Sequence, residues 1–147
     1  MRLAPALIAI ALVAGCTPAE EPAVEVVAVV PAAPTMADFV GTWQNRAVLT
    51  GVADTVVSTM TGTADGAWTM TLEGRDPVAL TVTVVGDSLI SESAEYESVL
   101  RKGVMVSVRT ASMMHDGMLM GNMVATYKTD GVTETVLGTI TGTRVQQ

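Results

Sequence analysis

The feature that most constrains this chain is the alternation of β-branched residues between regularly spaced turn signals. Thr55-Val56-Val57-Ser58-Thr59-Met60 and Thr81-Val82-Thr83-Val84-Val85 are representative runs. Thr and Val lose side-chain freedom in a helix and pack well on a pleated surface, so such runs favour strands. From Phe39 onward no window carries a 3.6-residue apolar period with caps. Breakers fall at Gly51, Asp65-Gly66, Gly74 to Pro77, Gly86-Asp87, Gly103, Asp116-Gly117 and Asp130-Gly131. The three Asp-Gly pairs suit tight hairpins, whose central residues need positive φ. Seven breaks predict eight strands, each joined to the next by a short connection. The expectation is an all-β domain over 36–147, an eight-stranded antiparallel up-and-down β-barrel, because closure removes both exposed edges. A β-sandwich is the alternative.

One hairpin can be put in register from the sequence. With Asp116-Gly117 as a two-residue turn, His115 faces Met118, Met114 faces Leu119 and Met113 faces Met120. Side chains then alternate between faces. One face collects Val104, Val106, Val108, Thr110, Met114, Leu119, Gly121, Met123, Ala125 and Tyr127. The other collects Met105, Ser107, Arg109, Met113, Met118, Met120, Asn122, Thr126 and Lys128. The first set is the more apolar and is assigned to the interior; a slip of one residue would invert the assignment.

The beginning of the chain is of another kind. Arg2 precedes an apolar run, Leu3 to Val13, that ends in small residues and the only cysteine, Cys16. This is the layout of a secretory signal, too short to span a bilayer as a helix. Leu12-Val13-Ala14-Gly15-Cys16 resembles the lipobox of bacterial lipoproteins. The resemblance implies cleavage after residue 15 and acylation of Cys16 with fatty chains such as palmitate, several of which hold a protein to a membrane almost permanently. In that family an aspartate after the cysteine marks retention at the inner membrane. Thr17 stands here, which implies anchoring in the cell envelope at the outer membrane, facing the periplasm. Residues 16–35, rich in Pro, Ala and Glu, read as an extended tether, although Val24 to Val30 could pair as a strand.

Cleavage would remove Arg2 and no acid, leaving seven of the eight basic residues against fifteen acidic ones, a net charge of −8. A chain this acidic carries no electrostatic footprint for nucleic acid. With one cysteine it has no internal disulfide, so its stability must come from its core.

Phe39-Val40-Gly41-Thr42-Trp43, at the start of the first strand, resembles the Gly-x-Trp signature of lipocalins and their calycin relatives. In that family the tryptophan closes one end of the barrel and a basic residue of the last strand lies across its ring. The resemblance therefore implies structural closure by Trp43 and Arg144. Gly41 to Asn45 is also similar to the first strand of avidin-like barrels. Those line a biotin pocket with several tryptophans, whereas this chain has only Trp43 and Trp68, which argues against biotin. The chain is short for a lipocalin and lacks the usual disulfides and the helix after the barrel. These departures argue against a large cavity.

Little in the sequence points to catalysis, and the chain is read as no enzyme. The one histidine, His115, adjoins a hairpin tip, and no Ser, His and acid grouping follows from spacing. Glu92, Glu95 and Glu97 lie close together near Tyr96 and read as a solvated acidic edge. Methionine is the unusual feature: five lie between Met113 and Met123. Thioethers with an imidazole suit Cu(I), and the hairpin register sets Met113, His115, Met118 and Met120 on one face. The plainer reading is that methionine fills apolar space in place of scarce aromatics.

For a ligand inside the barrel, parity selects Trp68, Met70, Leu72, Val106, Val108, Met123 and Tyr127 as the lining. Three functions follow. The first is a membrane-anchored envelope lipoprotein whose small barrel binds a hydrophobic or amphipathic small molecule, with no cofactor. The second is a structural or interaction module of the envelope with a filled barrel. The third is a soft-metal binder acting through the Met/His hairpin.

Overall fold

The computed structural model describes residues 32–146. The expected signal and lipidation site, the possible strand at Val24 to Val30 and most of the tether lie outside them. The chain opens with a single helical turn, α1 (Met36–Phe39), so Phe39 ends this turn and does not begin a strand. Nine strands follow: β1 (Gly41–Leu49), β2 (Thr55–Gly62), β3 (Trp68–Leu72), β4 (Val78–Val85), β5 (Ser88–Ser93), β6 (Tyr96–Glu97), β7 (Met105–His115), β8 (Met118–Thr129) and β9 (Val132–Arg144). All pairings are antiparallel between neighbours, β1 pairs with β9, and β5 pairs with β7. Eight strands thus close an up-and-down barrel, and two-residue β6 lies beside β7 as an extra strand.

All seven sequence breaks fall in connections between barrel strands, but the connections differ in kind. Asp116-Gly117 and Asp130-Gly131 both have positive φ at each central residue, as a type I′ hairpin turn requires. At Gly86-Asp87 only the glycine does, the pattern of a II′ turn. Asp65-Gly66 sits in a wider loop, where Thr63 N–H donates to the Ala67 carbonyl and the Thr63 hydroxyl to the Asp65 carboxylate. That bond holds the Asp65 carboxyl below its ordinary range. The expectation that every connection is short fails once. Between β5 and β7 the chain takes eleven residues, 94–104, that carry β6 and a turn built on Ser98, whose hydroxyl accepts from Leu100 and Arg101 N–H at 3.0 and 3.1 Å.

The β7–β8 register is His115 to Met118, Met114 to Leu119 and Met113 to Met120, as the hairpin argument requires. The face assigned to the interior is buried at Val106, Thr110, Leu119, Met123, Ala125 and Tyr127, and half-buried at Val104, Val108 and Gly121. Met114 shares its parity but emerges at the rim, 36% exposed. The opposite face carries Arg109, Asn122 and Lys128 to solvent.

The core falls into two clusters. One gathers Phe39, Trp43, Met60, Trp68, Leu89 and Leu119 at the end where α1 lies. The other gathers Ala47, Leu49, Val106, Met123, Ala125 and Tyr127 toward the opposite end, where Tyr96 and Leu100 of the 94–104 segment pack on it.

Candidate functional site

The end bearing α1 is sealed, and each part of the seal follows from a residue of the opening motif. Trp43, wholly buried, donates its indole N–H to the Phe39 carbonyl at 2.8 Å. Arg144 pairs with Trp43 across β1 and β9, and its guanidinium lies 4.3 Å from the ring centroid. The same guanidinium donates to the Val40 and Asp38 carbonyls, each at 2.6 Å. These carbonyls end a helical turn and would otherwise lack partners. Gly41 has φ +131°, and a Cβ there would lie 2.8 Å from Arg144 Nη1. Glycine is favoured at this position by its backbone angle, and it leaves the guanidinium room to lie over the ring. Trp43 and Arg144 are structural here, and neither borders the cavity.

Above the seal is a cavity of about 70 Å³ that reaches toward the other end of the barrel. An apolar cavity of about 150 Å³ holds a benzene molecule, so this lumen has room for a short chain or a few atoms and a head group. Of the expected lining residues, Met70, Leu72, Val106, Val108, Met123 and Tyr127 border it. Trp68 does not: it points inward but lies in the sealed cluster, with its ring against Gly62, where a Cβ would strike it. Parity gives the face of a residue and not its depth along the barrel.

Of a polar belt around the lumen, the alternation placed only Thr110 inside. Asn45, Ser58, Ser91, Thr110 and Ser112 are all at least nine-tenths buried and all border the cavity. Ser91 and Thr110, cross-strand partners, share a hydrogen bond at 2.7 Å between their hydroxyls. Asn45 pairs with Ser58 on one side and Gly142 on the other, and a Cβ at Gly142 would collide with the Asn45 amide oxygen. The glycine makes space for the amide. Burying an amide and four hydroxyls is costly unless they find partners, so the belt is a set of hydrogen-bonding groups held in an otherwise apolar tube.

The mouth is covered by the 94–104 segment. Val99 and Leu100 border the cavity. Arg101 lies 4.0 Å over the Tyr127 ring and makes a two-bond fork to the Glu134 carboxylate at 2.6 and 2.9 Å. That fork draws Glu134 below the usual carboxyl range. Arg75, from the β3–β4 loop, donates to the Glu97 carbonyl and holds the segment from the other side. Tyr96 lies beneath, its phenol pushed up to about 12, first by burial and then by the neighbouring Tyr127. A wider groove of about 1030 Å³ opens where β3 and β4, joined by only two residue pairs, diverge beside Tyr96 and Glu97.

The acidic residues near Tyr96 are individually engaged. Glu92 binds Arg109 at 2.9 Å, Glu95 binds Lys128, and the Glu97 carboxylate accepts from Gly103 N–H at 3.0 Å. Met113, His115, Met118 and Met120 share the outer face of the β7–β8 hairpin, as its register demands, remote from the lumen. Among the described residues no three His, Cys, Asp or Glu side chains gather as a metal site. No family model matches the chain, and no curated protein matches its sequence.

Proposed function

We propose that the barrel is a lipocalin-like binding module that takes one small amphipathic molecule in its lumen. The observation that carries this reading is the buried polar belt inside an apolar tube, sealed at one end and covered by a segment at the other. Pockets that orient small ligands combine an apolar lining with a few placed polar groups. Asn45 and Ser58 would take the hydrogen-bonding head, and Leu72, Val106, Val108 and Ala125 the short apolar part. The size of the cavity favours a short chain over a long lipid. We further propose, from the residues around Cys16, that the chain is a lipoprotein held in the envelope by that cysteine. Changing Cys16 to Ser should then release the protein from membranes, and continued tight association of that variant would reject the anchor.

The lumen is tested by titrating the full chain in mild detergent with ethanol, acetate and ethylamine, which match its size, and following its methyl groups by NMR. Saturable shifts confined to lumen methyls are expected for at least one head group. Asn45→Leu should weaken that binding about tenfold, the worth of one hydrogen bond, with a melting point within a few degrees of the parent. No saturable shift with any of the three would favour the alternative, a packed barrel that acts through its surface.

A further inference from the structure

The described methionines range from buried to exposed, with Met36 and Met70 between the extremes. Two exposed ones lie away from the outer face at the hairpin tip: Met105, 40% exposed, at the far end of β7, and Met114, 36% exposed, at the rim on the inward parity. Met60 and Met123 are 5% exposed and fill the core, as a flexible apolar side chain should. Met113, Met118 and Met120 are 54%, 37% and 45% exposed, all on the outer face at the end of one hairpin. Filling of apolar space cannot account for these three.

Their placement is specific. Met113 lies opposite Met120 and His115 opposite Met118, two consecutive same-face pairs on β7 and β8. Such pairs have Cβ atoms about 5 Å apart across the strands and about 7 Å apart along them. In each of the four side chains a donor atom, Sδ or Nδ1, stands two bonds beyond Cβ, so all four can lean over one centre. The two-residue turn at Asp116-Gly117 ties the strands at this point and fixes the register.

The surroundings select among ions. The lateral partners of these positions are Ser88 on β5 and Thr141 and Thr143 on β9, which bring no carboxylate and no cation. His115 Nε2 lies 3.4 Å from the Asp116 carboxylate. That approach is not a hydrogen bond, and both side chains are largely in solvent. Nδ1, two bonds beyond Cβ, is therefore the ring nitrogen placed to meet the thioethers. Three neutral thioethers and an imidazole, with no hard oxygen anion among the donors, match a soft monovalent cation and discriminate against Mg²⁺, Ca²⁺ and Zn²⁺.

We propose that the outer face of the β7–β8 hairpin binds one soft monovalent ion, copper(I) or silver(I), through Met113, Met118, Met120 and His115. This site is separate from the lumen and does not depend on what the lumen holds. The test uses the full chain carrying Cys16→Ser, without a histidine tag, so that neither a thiol nor an added imidazole takes the ion. Silver nitrate is added in chloride-free buffer and followed by native mass spectrometry and methionine-methyl NMR. One silver ion per chain is expected, with the methyls of Met113, Met118 and Met120 shifted and those of Met60 and Met123 unmoved. Zinc should give no such shifts. Replacing the three methionines together by leucine keeps the face apolar and should abolish the adduct without lowering the melting point, and His115→Gln should weaken it at least tenfold. A chain that takes no silver, or a triple-leucine variant that keeps its silver, would overturn the proposal.

Discussion

The two ends of this barrel use the same device for opposite purposes. At each end an arginine lies over a buried aromatic ring, Arg144 over Trp43 and Arg101 over Tyr127, at 4.3 and 4.0 Å. The difference is in what the guanidinium holds. Arg144 grips two backbone carbonyls of the segment that leads into β1. Those acceptors cannot be titrated, and they belong to the end the chain must close to bury Phe39 and Trp43. Arg101 grips a side-chain carboxylate, Glu134, in a pair that is 36% and 56% exposed. Exposed pairs contribute little and are screened by salt. One arginine is built into the fold, whereas the other is a latch on a covering segment.

The largest expected effect is at the sealed end. Trp43→Ala removes a wholly buried indole and should destabilise the chain by about 3–5 kcal/mol. Denaturant unfolding measures this, and an unchanged midpoint would show that the seal does not support the barrel.

The arginines themselves sharpen the comparison. Arg144 is itself exposed at its outer side. Arg144→Leu, which loses a cation–π contact and two hydrogen bonds to backbone carbonyls, should therefore cost about 1–2 kcal/mol. Arg101→Leu should move the unfolding midpoint much less while raising hydrogen exchange at Leu100 and at position 101. Equal losses for the two variants would break the distinction between built-in and latching arginines.

The mouth should also respond to alkali. The Tyr96 phenol is raised to about 12 in the folded chain, chiefly by burial. A raised acid keeps its proton longer when folded, so its contribution is whole below about pH 10 and is lost as pH rises toward 12. The two-unit difference corresponds to about 2–3 kcal/mol, less whatever water reaches the ring. Phenolate absorbance should show a late tyrosine step that Tyr96→Phe removes, together with part of the alkaline loss of stability. A Tyr96 that titrates near 10 would mean the ring is wet and the mouth open.

These contrasts set out what the sequence could tell. Two Asp-Gly turns fixed their hairpins because positive φ at both central residues leaves few alternatives, and the β7–β8 pairing followed residue by residue. Gly41 and Trp43 were legible because the opening motif specifies their positions, and Arg144 because it is a basic residue on the last strand, where the resemblance calls for one. The polar belt was not legible beyond Thr110. Serine and threonine occupy both faces of these strands, so Ser58 and Ser91 carry no mark of burial in composition. The covering segment was hidden as well. Its single break, Gly103, looks like an ordinary hairpin signal, and the fold-back depends on Ser98 bonding to its own backbone and on Arg75 reaching across from another loop. Both are tertiary facts that periodicity does not encode. Trp68 failed for the related reason that alternation is blind to height along the barrel.

Acid gives the smallest and most selective contrast. The Glu134 carboxyl is lowered by its hydrogen bond to Arg101, and the Asp38 carboxyl by accepting from Thr35 N–H and hydroxyl at 2.7 and 2.8 Å. A lowered carboxyl contributes above its unfolded value and ceases to contribute as pH falls through its folded one. Below about pH 4 both bonds therefore fade, but with unequal consequences. At the mouth the latch itself is lost, since protonated Glu134 no longer holds Arg101 as an ion pair. At the sealed end only the cap on α1 weakens, because the carbonyls that hold Arg144 do not take up protons in this range. Hydrogen exchange measured from pH 6 to pH 3 and corrected for intrinsic rates should rise first at Leu100, Arg101 and Lys102, while the Trp43 indole N–H stays protected. Glu134→Gln should reproduce the mouth's loosening at neutral pH and remove its pH dependence. If the Trp43 indole opened together with residues 100–102, the two arginines would belong to one cooperative unit, and the barrel would have no independent mouth.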